Sequence, residues 1–263
     1  MKRLKKYVPT KKDFENLRFK KEQLKISGDG IFATLQGEGV TAGLPAVFLR
    51  LHNCNLSCGK PTGWKCDTWY TWDKDTAEYW QEPYDLGYKD AVSEISRAWK
   101  EKFNKDKKAS KRLVITGGEP LLQQKKIVKL LNLLPGTNVE IETNGTIKPI
   151  KELSNCQFNC SPKLKNSGNK TTRRYKPEVI KFINTLPNSW FKFVVTNQTD
   201  LHEIDQIIDE CSLTKQKIII MPEGLTAKIV SKHAQTVTHE IKERGWKLSM
   251  RNQLVWYGQE RRT

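Results

Sequence analysis

Short apolar runs alternate with amphipathic segments along the chain after about residue 30. Apolar side chains recur at spacings of three and four between residues 89 and 104, which predicts an amphipathic helix; they are Val92, Ile95, Trp99 and Phe103. Strands are predicted over residues 31–35, 46–51, 112–116, 139–142, 157–159, 191–196, 217–221 and 247–250. Further helices are predicted over 123–134, 201–209 and 226–244.

Strands that alternate with helices indicate an α/β fold with a parallel sheet and right-handed crossovers. In such sheets the functional side chains gather where the strands end. Four segments follow predicted strands directly and are therefore candidate site segments: 116–120, 142–145, 161–163 and 221–224. Residues 54–88, rich in glycine, proline, aspartate and aromatic residues, are predicted to form an irregular functional loop.

The composition fits a globular protein: 37% of the 263 residues are hydrophobic and 29% are charged. No stretch approaches the roughly 20 apolar residues of a membrane-spanning helix, so no membrane association is expected. No apolar core follows the basic N-terminus, so a secretory signal is not expected and the predicted location is cytoplasmic. We predict a basic N-terminal extension over residues 1–25 and one domain over 26–263.

The formal net charge of +17 is concentrated in residues 1–25 and 163–181. Nucleic-acid contact is one explanation of such charge. The preferred explanation is a solvated extension together with a loop that meets anionic small molecules. Direct nucleic-acid binding is therefore not expected.

Three of the six cysteines crowd into one short segment: Cys54 and Cys58 lie in CNLSC, and Cys66 closes CGKPTGWKC. Three thiolates on one loop can hold an iron–sulfur cluster and leave one metal open for chemistry. Zinc is the main alternative, but structural zinc usually takes four ligands with paired CxxC spacing, and only His52 lies near enough to be a fourth. Unliganded loop cysteines are a third explanation.

The other three cysteines, Cys156, Cys160 and Cys211, are predicted to be core residues, because buried free cysteine is common.

Eight segments, in order, resemble the 7-carboxy-7-deazaguanine synthases, radical S-adenosylmethionine enzymes of deazapurine biosynthesis. They are TLQGEG (34–39), PAVFLRLHNCNLSC (45–58), WKCDTWYTWD (64–73), VITGGEP (114–120), IETNGT (141–146), NCSPKL (159–164), MPEG (221–224) and WKLSM (246–250). TGGEP is general to radical S-adenosylmethionine enzymes, whereas QGEG before the cysteines and CDT after them are more specific. The resemblance implies an incomplete (β/α) barrel with outer helices.

The resemblance also implies a reaction, the conversion of 6-carboxy-5,6,7,8-tetrahydropterin to 7-carboxy-7-deazaguanine with loss of ammonia. The implied cofactors are a [4Fe–4S] cluster on three cysteines, S-adenosyl-L-methionine and Mg²⁺. The implied partners are the pterin, an electron donor such as flavodoxin or ferredoxin, and a second copy of the chain in a homodimer. Another radical S-adenosylmethionine enzyme, or a basic metal-binding nucleic-acid protein, is the alternative.

Residue roles follow from the same resemblance. Cys54, Cys58 and Cys66 would bind the cluster, and the Thr68 hydroxyl would bind Mg²⁺. Leu35, Gln36, Gly37, Arg50 and Thr116 would bind the pterin, with Arg50 on its carboxylate. Glu38 and Glu142 are the candidate catalytic residues, through hydrogen bonds to the pterin amine and ring N–H groups. The candidate S-adenosylmethionine residues are Asp67, Gly118, Glu119, Ser161, Pro162, Lys163, Met221, Pro222, Glu223 and Gly224.

Without the resemblance, ordinary structure explains several of these residues: a turn for Asp67 and Thr68, a surface position for Arg50, and a cap or salt bridge for Glu142. This chain also departs from the many family members that have two residues between the second and third cysteines, because here Gly59–Lys65 intervene. The insertion is expected to change the path of the loop and to leave the three ligands in place.

Overall fold

Nine strands form a single open sheet in the computed structural model, which describes residues 6–103 and 111–262. The strands are β1 (Gln23–Leu35), β2 (Pro45–Leu51), β3 (Tyr84–Gly87), β4 (Arg112–Gly117), β5 (Asn138–Thr143), β6 (Gln157–Cys160), β7 (Ser189–Val195), β8 (Ile218–Pro222) and β9 (Lys247–Leu248). Their order is β3-β1-β2-β4-β5-β6-β7-β8-β9, parallel from β2 to β9, with β1 antiparallel to both of its neighbours.

The helices of the described residues are α1 (Lys11–Leu17), α2 (Ala77–Gln81), α3 (Tyr88–Phe103), α4 (Gln124–Leu131), α5 (Thr171–Arg174), α6 (Pro177–Asn184), α7 (Thr199–Cys211), α8 (Ala227–Arg244) and α9 (Asn252–Trp256). The predicted α/β fold with a mostly parallel sheet is confirmed, and the open sheet is compatible with an incomplete barrel. None of these helices has the length and apolar character needed to cross a membrane.

The prediction of an irregular segment over residues 54–88 is wrong for the last part of this range, because α2 and β3 lie there. Strand β3 extends the sheet by pairing with Gln23–Ile26, so β1 begins eight residues before the predicted strand. The predicted final strand is reduced to two residues, and the short helices α5, α6 and α9 were not predicted. Four to eight residues are too few to show the apolar period of a helix clearly.

Alternate residues of the parallel strands face opposite sides of the sheet. The outward positions form one apolar core with the helices, as Ile115, Ile141 and Phe193 do. Several of the intervening positions are polar: Thr116 on β4, Glu140 and Glu142 on β5, Asn159 on β6 and Lys192 on β7. The inner face of the sheet is therefore polar in its centre, with a small apolar cluster of Ala46, Phe48 and Val114 beside it.

The core cysteines are placed as predicted: Cys156, Cys160 and Cys211 are all buried. All three belong to the apolar core; Cys160 lies on β6, and Cys156 directly precedes that strand.

The described part of the N-terminal region packs on the domain. Asn16 of α1 donates hydrogen bonds to the carbonyls of Trp80 and Pro83, at 2.8 and 3.1 Å. Lys25 of β1 is fully buried, and its Nζ lies 2.6 Å from Oδ1 of Asp85, its cross-strand neighbour on β3. A buried cation of this kind depends on its partner charge.

Asp85→Asn should therefore destabilise the protein, by about 3 kcal/mol, because it leaves the Lys25 charge buried without its partner. Lys25→Met combined with Asp85→Asn should recover most of this loss, since no unpaired charge remains. Urea unfolding monitored by far-UV circular dichroism measures both values. A single variant within about 0.5 kcal/mol of the parent protein would contradict the assignment.

Candidate active site

A cavity of about 480 Å³ opens at the carboxyl ends of the parallel strands. Seventeen of the residues predicted from the sequence line it: Leu35, Gln36, Gly37, Glu38, Arg50, Cys54, Cys58, Cys66, Asp67, Thr68, Thr116, Gly118, Glu142, Ser161, Lys163, Met221 and Glu223. The other four, Glu119, Pro162, Pro222 and Gly224, lie outside the lining. Residues separated by almost 190 positions in sequence thus meet in one space.

The cysteine loop leaves β2 beside the exit of β4. Backbone hydrogen bonds join Gly118 N to Leu51 O at 3.2 Å and Glu119 N to Asn53 O at 2.8 Å. A Cβ atom on Gly118 would lie 2.2 Å from Asn53 O and 2.8 Å from Cys54 Cβ. The glycine is therefore needed for the close approach of the cysteine loop itself.

Each of the three sulfur atoms has a polar side chain nearby. Asn144 Nδ2 lies 3.9 Å from Cys54 Sγ, Asn169 Nδ2 lies 3.3 Å from Cys58 Sγ, and Thr68 Oγ1 lies 3.5 Å from Cys66 Sγ. Burial raises the pKa of all three thiols, that of Cys58 to about 11. A thiolate at these positions therefore needs a cationic partner such as a metal.

His52, the candidate fourth ligand of a zinc site, does not line the cavity. It is buried against Tyr79, with ring centroids 4.8 Å apart. Burial lowers the pKa of His52 to about 3, so the imidazole is neutral at pH 7. Its position favours a structural role.

The insertion Gly59–Lys65 is held against residues 165–169. Gly59 N donates to Ser167 O at 3.0 Å, and the backbone and indole N–H groups of Trp64 both donate to Asn166, at 3.2 and 2.9 Å. Gly168 has a φ of +76°, and a Cβ atom there would lie 1.8 Å from Thr62 O. The insertion is thus anchored to this segment, and all three cysteines line one cavity.

Glu119 is completely buried behind the turn that follows β4. Its carboxylate accepts hydrogen bonds from Leu121 N at 3.0 Å, Thr143 Oγ1 at 2.9 Å and Asn144 N at 2.7 Å. It thereby fixes Asn144, the neighbour of Cys54. Its predicted contact with the cofactor stays a prediction.

Glu142 and Glu38 line the same cavity, from β5 and from the segment that follows β1. Glu142 accepts hydrogen bonds from Thr116 Oγ1 at 2.8 Å and Gln36 Nε2 at 3.3 Å. Glu38 is paired with Lys192 Nζ and accepts from Gln253 Nε2 at 2.7 Å.

Glu38 also pairs with Arg251, whose Nε lies 3.1 Å from Oε1. Burial would raise the pKa of Glu38, but Lys192 and Arg251 outweigh burial and hold this pKa well below its usual range. Sequence reasoning missed Lys192, Arg251 and Gln253. A lysine that interrupts the apolar strand FKFVV was a usable signal for Lys192, whereas Arg251 and Gln253 lie in the tail after Met250, where no hydrophobic pattern marks individual residues.

Arg50 presents its guanidinium to the cavity from β2. Its Nε lies 2.9 Å from Asp29 Oδ2, and the hydrogen bonds of the described residues leave both terminal nitrogens without a protein partner. Asp29 is also paired with Arg261 and accepts a hydrogen bond from Tyr70. The C-terminal residues 258–262, which also line the cavity, therefore contribute to the surroundings of Arg50.

Segments after β6 and β8 also line the cavity. Lys163 Nζ donates to Ser161 Oγ at 2.9 Å. Met221 is buried at the end of β8, and the carbonyl of Glu223 lies 2.7 Å from His233 Nδ1. These residues leave room between them and the cysteine loop for a ligand.

The sheet is open and mostly parallel, and thiols, carboxylates and arginine side chains surround one cavity at its strand ends. This arrangement defines an α/β enzyme. No family model matches the chain. The 7-carboxy-7-deazaguanine synthases of Pyrobaculum aerophilum and Clostridium acetobutylicum are 33% and 34% identical to it, over 73% of this chain in both cases and 77% and 78% of theirs. That of Hyperthermus butylicus is 30% identical over 83% of this chain and 86% of its own.

The crystal structure of QueE from Escherichia coli has the same fold, with a TM-score of 0.63 and 24% identity over 93% of this chain and all of that chain. The chain belongs to the 7-carboxy-7-deazaguanine synthase family, and the resemblance drawn from its motifs is confirmed.

Gly168→Ala should displace the insertion, because the added methyl group would overlap Thr62 O. Gly136→Ala is a matched control: its φ is +73°, but no atom lies within 4 Å of the added Cβ. Both variants should lose about 1 kcal/mol of stability from left-handed backbone strain. Only Gly168→Ala should speed alkylation of the Cys58 thiol in the metal-free protein, measured by mass spectrometry. Equal labelling rates in the two variants would contradict this account of the insertion.

Proposed function

We propose that the protein converts 6-carboxy-5,6,7,8-tetrahydropterin to 7-carboxy-7-deazaguanine with loss of ammonia, as a radical S-adenosylmethionine lyase of queuosine and 7-deazapurine biosynthesis. The observation that carries the proposal is one cavity lined by three thiols together with Arg50, Glu38 and Glu142. Family membership supports the same reaction.

The donor set fits a [4Fe–4S] cluster better than a single zinc ion. Among the described residues, the only three metal-binding side chains with ligand atoms all within 4.8 Å of one another are His239, Glu240 and Glu243. At least one pair of sulfur atoms among the three loop cysteines is therefore more than 4.8 Å apart, wider than the about 3.8 Å that a tetrahedral zinc with 2.3 Å bonds imposes. Cys54, Cys58 and Cys66 would hold three irons and leave the fourth open. When reduced, such a cluster supplies the electron that cleaves S-adenosylmethionine.

Arg50 would bind the substrate carboxylate, because its terminal nitrogens are unpaired within the described residues and form a planar fork. Glu142 and Glu38 would accept hydrogen bonds from the pterin amine and ring N–H groups. The segment 35–37 and Thr116 would complete this end of the pocket. The Thr68 hydroxyl, 3.5 Å from Cys66 Sγ, would help to hold Mg²⁺, a hard cation that prefers oxygen ligands.

The S-adenosylmethionine site would be formed by six residues that line the cavity: Asp67, Gly118, Ser161, Lys163, Met221 and Glu223. Four further residues would support this site without lining the cavity: Glu119, Pro162, Pro222 and Gly224. Lys163 is suited to a carboxylate, because its ammonium group lies at the cavity wall beside the Ser161 hydroxyl.

The proposal extends to the setting of the enzyme. A soluble donor such as flavodoxin or ferredoxin would reduce the cluster, and the enzyme would act as a homodimer in the cytoplasm. All six cysteines are free thiols, as a reducing compartment favours.

The test is an anaerobic turnover assay with reconstituted enzyme, reductant, S-adenosylmethionine, Mg²⁺ and 6-carboxytetrahydropterin. We expect 7-carboxy-7-deazaguanine by mass spectrometry, and no product from Cys66→Ala, which removes a cluster ligand. Cys156→Ala, a buried cysteine outside the cavity, is the control that should retain activity. Cleavage of S-adenosylmethionine without the deazaguanine product would reject the substrate, and an active Cys66→Ala variant would remove Cys66 from the ligands.

Arg50→Lys should raise the KM for the pterin about tenfold or more, because lysine keeps the charge but loses the fork that matches a carboxylate. Arg244→Lys on α8, which pairs with Asp205 and Glu240 away from the cavity, is the matched control. Steady-state kinetics at saturating S-adenosylmethionine compares the two. An unchanged KM in Arg50→Lys would show that Arg50 does not hold the substrate carboxylate.

A further inference from the structure

We infer that Arg251 is a positioning residue. It holds three loops of the cavity in a fixed arrangement: the one with Glu38, the one with Asp67 and Thr68, and the one with Gly224. This inference rests on the proposed function. Arg251 precedes α9, in a segment of the chain to which no site residue was assigned from the sequence.

The Arg251 guanidinium reaches three separate loops. Its Nε lies 3.1 Å from Glu38 Oε1, its Nη1 donates to Gly224 O at 2.6 Å, and its Nη2 is paired with Asp67. Glu38 follows β1, Asp67 belongs to the cysteine loop, and Gly224 follows β8. One side chain thus joins loops from opposite halves of the sheet, at the point where they meet the cavity.

The arrangement suits a residue that fixes others rather than one that reacts. Arg251 is only 8% exposed, and burial of its charge is compensated by the two carboxylates of Glu38 and Asp67. Its rigid planar fork directs donors from three separate nitrogens towards three loops, whereas the three donors of a lysine all leave one nitrogen.

The three loops depend on Arg251 unequally. Glu38 keeps Lys192 and Gln253 as partners if Arg251 is lost. Asp67 is half exposed, and among the described residues Arg251 is the only side chain that donates a hydrogen bond to it. Loss of the guanidinium should therefore release the Asp67-Thr68 turn more than it disturbs Glu38.

The segment around Arg251 is anchored without its side chain. Asn252 N donates to Gly37 O at 3.0 Å, and Gly39 N donates to Ser249 Oγ at 2.8 Å. Substitutions of Arg251 should consequently alter the cavity while the segment stays in place.

The test compares Arg251→Met and Arg251→Lys with Arg244→Met and Arg244→Lys as matched controls, all as anaerobically reconstituted enzyme. In Arg251→Met the Mg²⁺ concentration for half-maximal activity and the KM for the pterin should rise about tenfold, with kcat changed less than about threefold, as lost charge-assisted hydrogen bonds predict. Arg251→Lys should lie between Arg251→Met and the parent protein.

Calorimetric titration with 6-carboxypterin, a stable analogue, should show a Kd weakened by a similar factor in Arg251→Met. The Arg244 variants should leave all three quantities unchanged. Unchanged values in Arg251→Met, or equal changes in the Arg244 variants, would overturn the inference.

Asp67→Asn tests the same ion pair from the side of the partner residue. It keeps the inference testable if an Arg251 variant does not fold. It should raise the Mg²⁺ requirement, and its effect should not add to that of Arg251→Met in the double variant. Full additivity would overturn the inference. An inactive parent enzyme would instead reject the proposed function, so the two failures are distinguishable.

Discussion

The two-residue period of the parallel strands is the constraint on which the rest of the structure depends. Each strand gives its odd or even positions to the apolar core and the others to the inner face. On β5 this period sends Ile141 outward and Glu142 inward, and on β7 it sends Phe193 outward and Lys192 inward. Because the strands are parallel, their carboxyl ends meet, and the loops that follow them share one cavity.

A polar inner face is expensive to bury, and paired charges compensate for it. Glu140, deepest on this face and completely buried, pairs with Arg112 and accepts hydrogen bonds from Thr41 and Asn159. Higher on the same face, Glu38 takes Lys192 as its partner. Lys192 and Arg251 hold the pKa of Glu38 well below its usual range, so this carboxylate is ionised where a substrate with several N–H groups would need an acceptor.

Much of this could be predicted from the sequence, because the relevant signals are local. Cys54, Cys58 and Arg50 lie within nine residues, and Gly118 and Glu142 each stand at a strand end that the apolar pattern marks. The signals fail where a structure depends on distant pairing. Strand β3 exists because it pairs with the start of β1, and its four residues carry no clear period.

Arg251 is an example within the site of a residue whose role depends on distant segments of the chain. It lies in a polar C-terminal segment, and its significance comes from three loops that only the folded chain brings to it. Gly118 was expected to admit the cofactor, and its missing Cβ proves to admit the backbone of Asn53. Residue types could be assigned to the cavity, but the identity of their neighbours required the structure.

The central claim is that three cysteines hold a cluster with one open iron in the cavity that also binds the substrate. The most direct measurement is electron paramagnetic resonance of the anaerobically reconstituted and reduced protein, with iron and sulfide analysis, before and after addition of S-adenosylmethionine. The account predicts one [4Fe–4S] cluster for each chain and a spectrum that changes when S-adenosylmethionine binds. A colourless protein with one zinc ion for each chain, or a cluster spectrum that S-adenosylmethionine leaves unchanged, would contradict it.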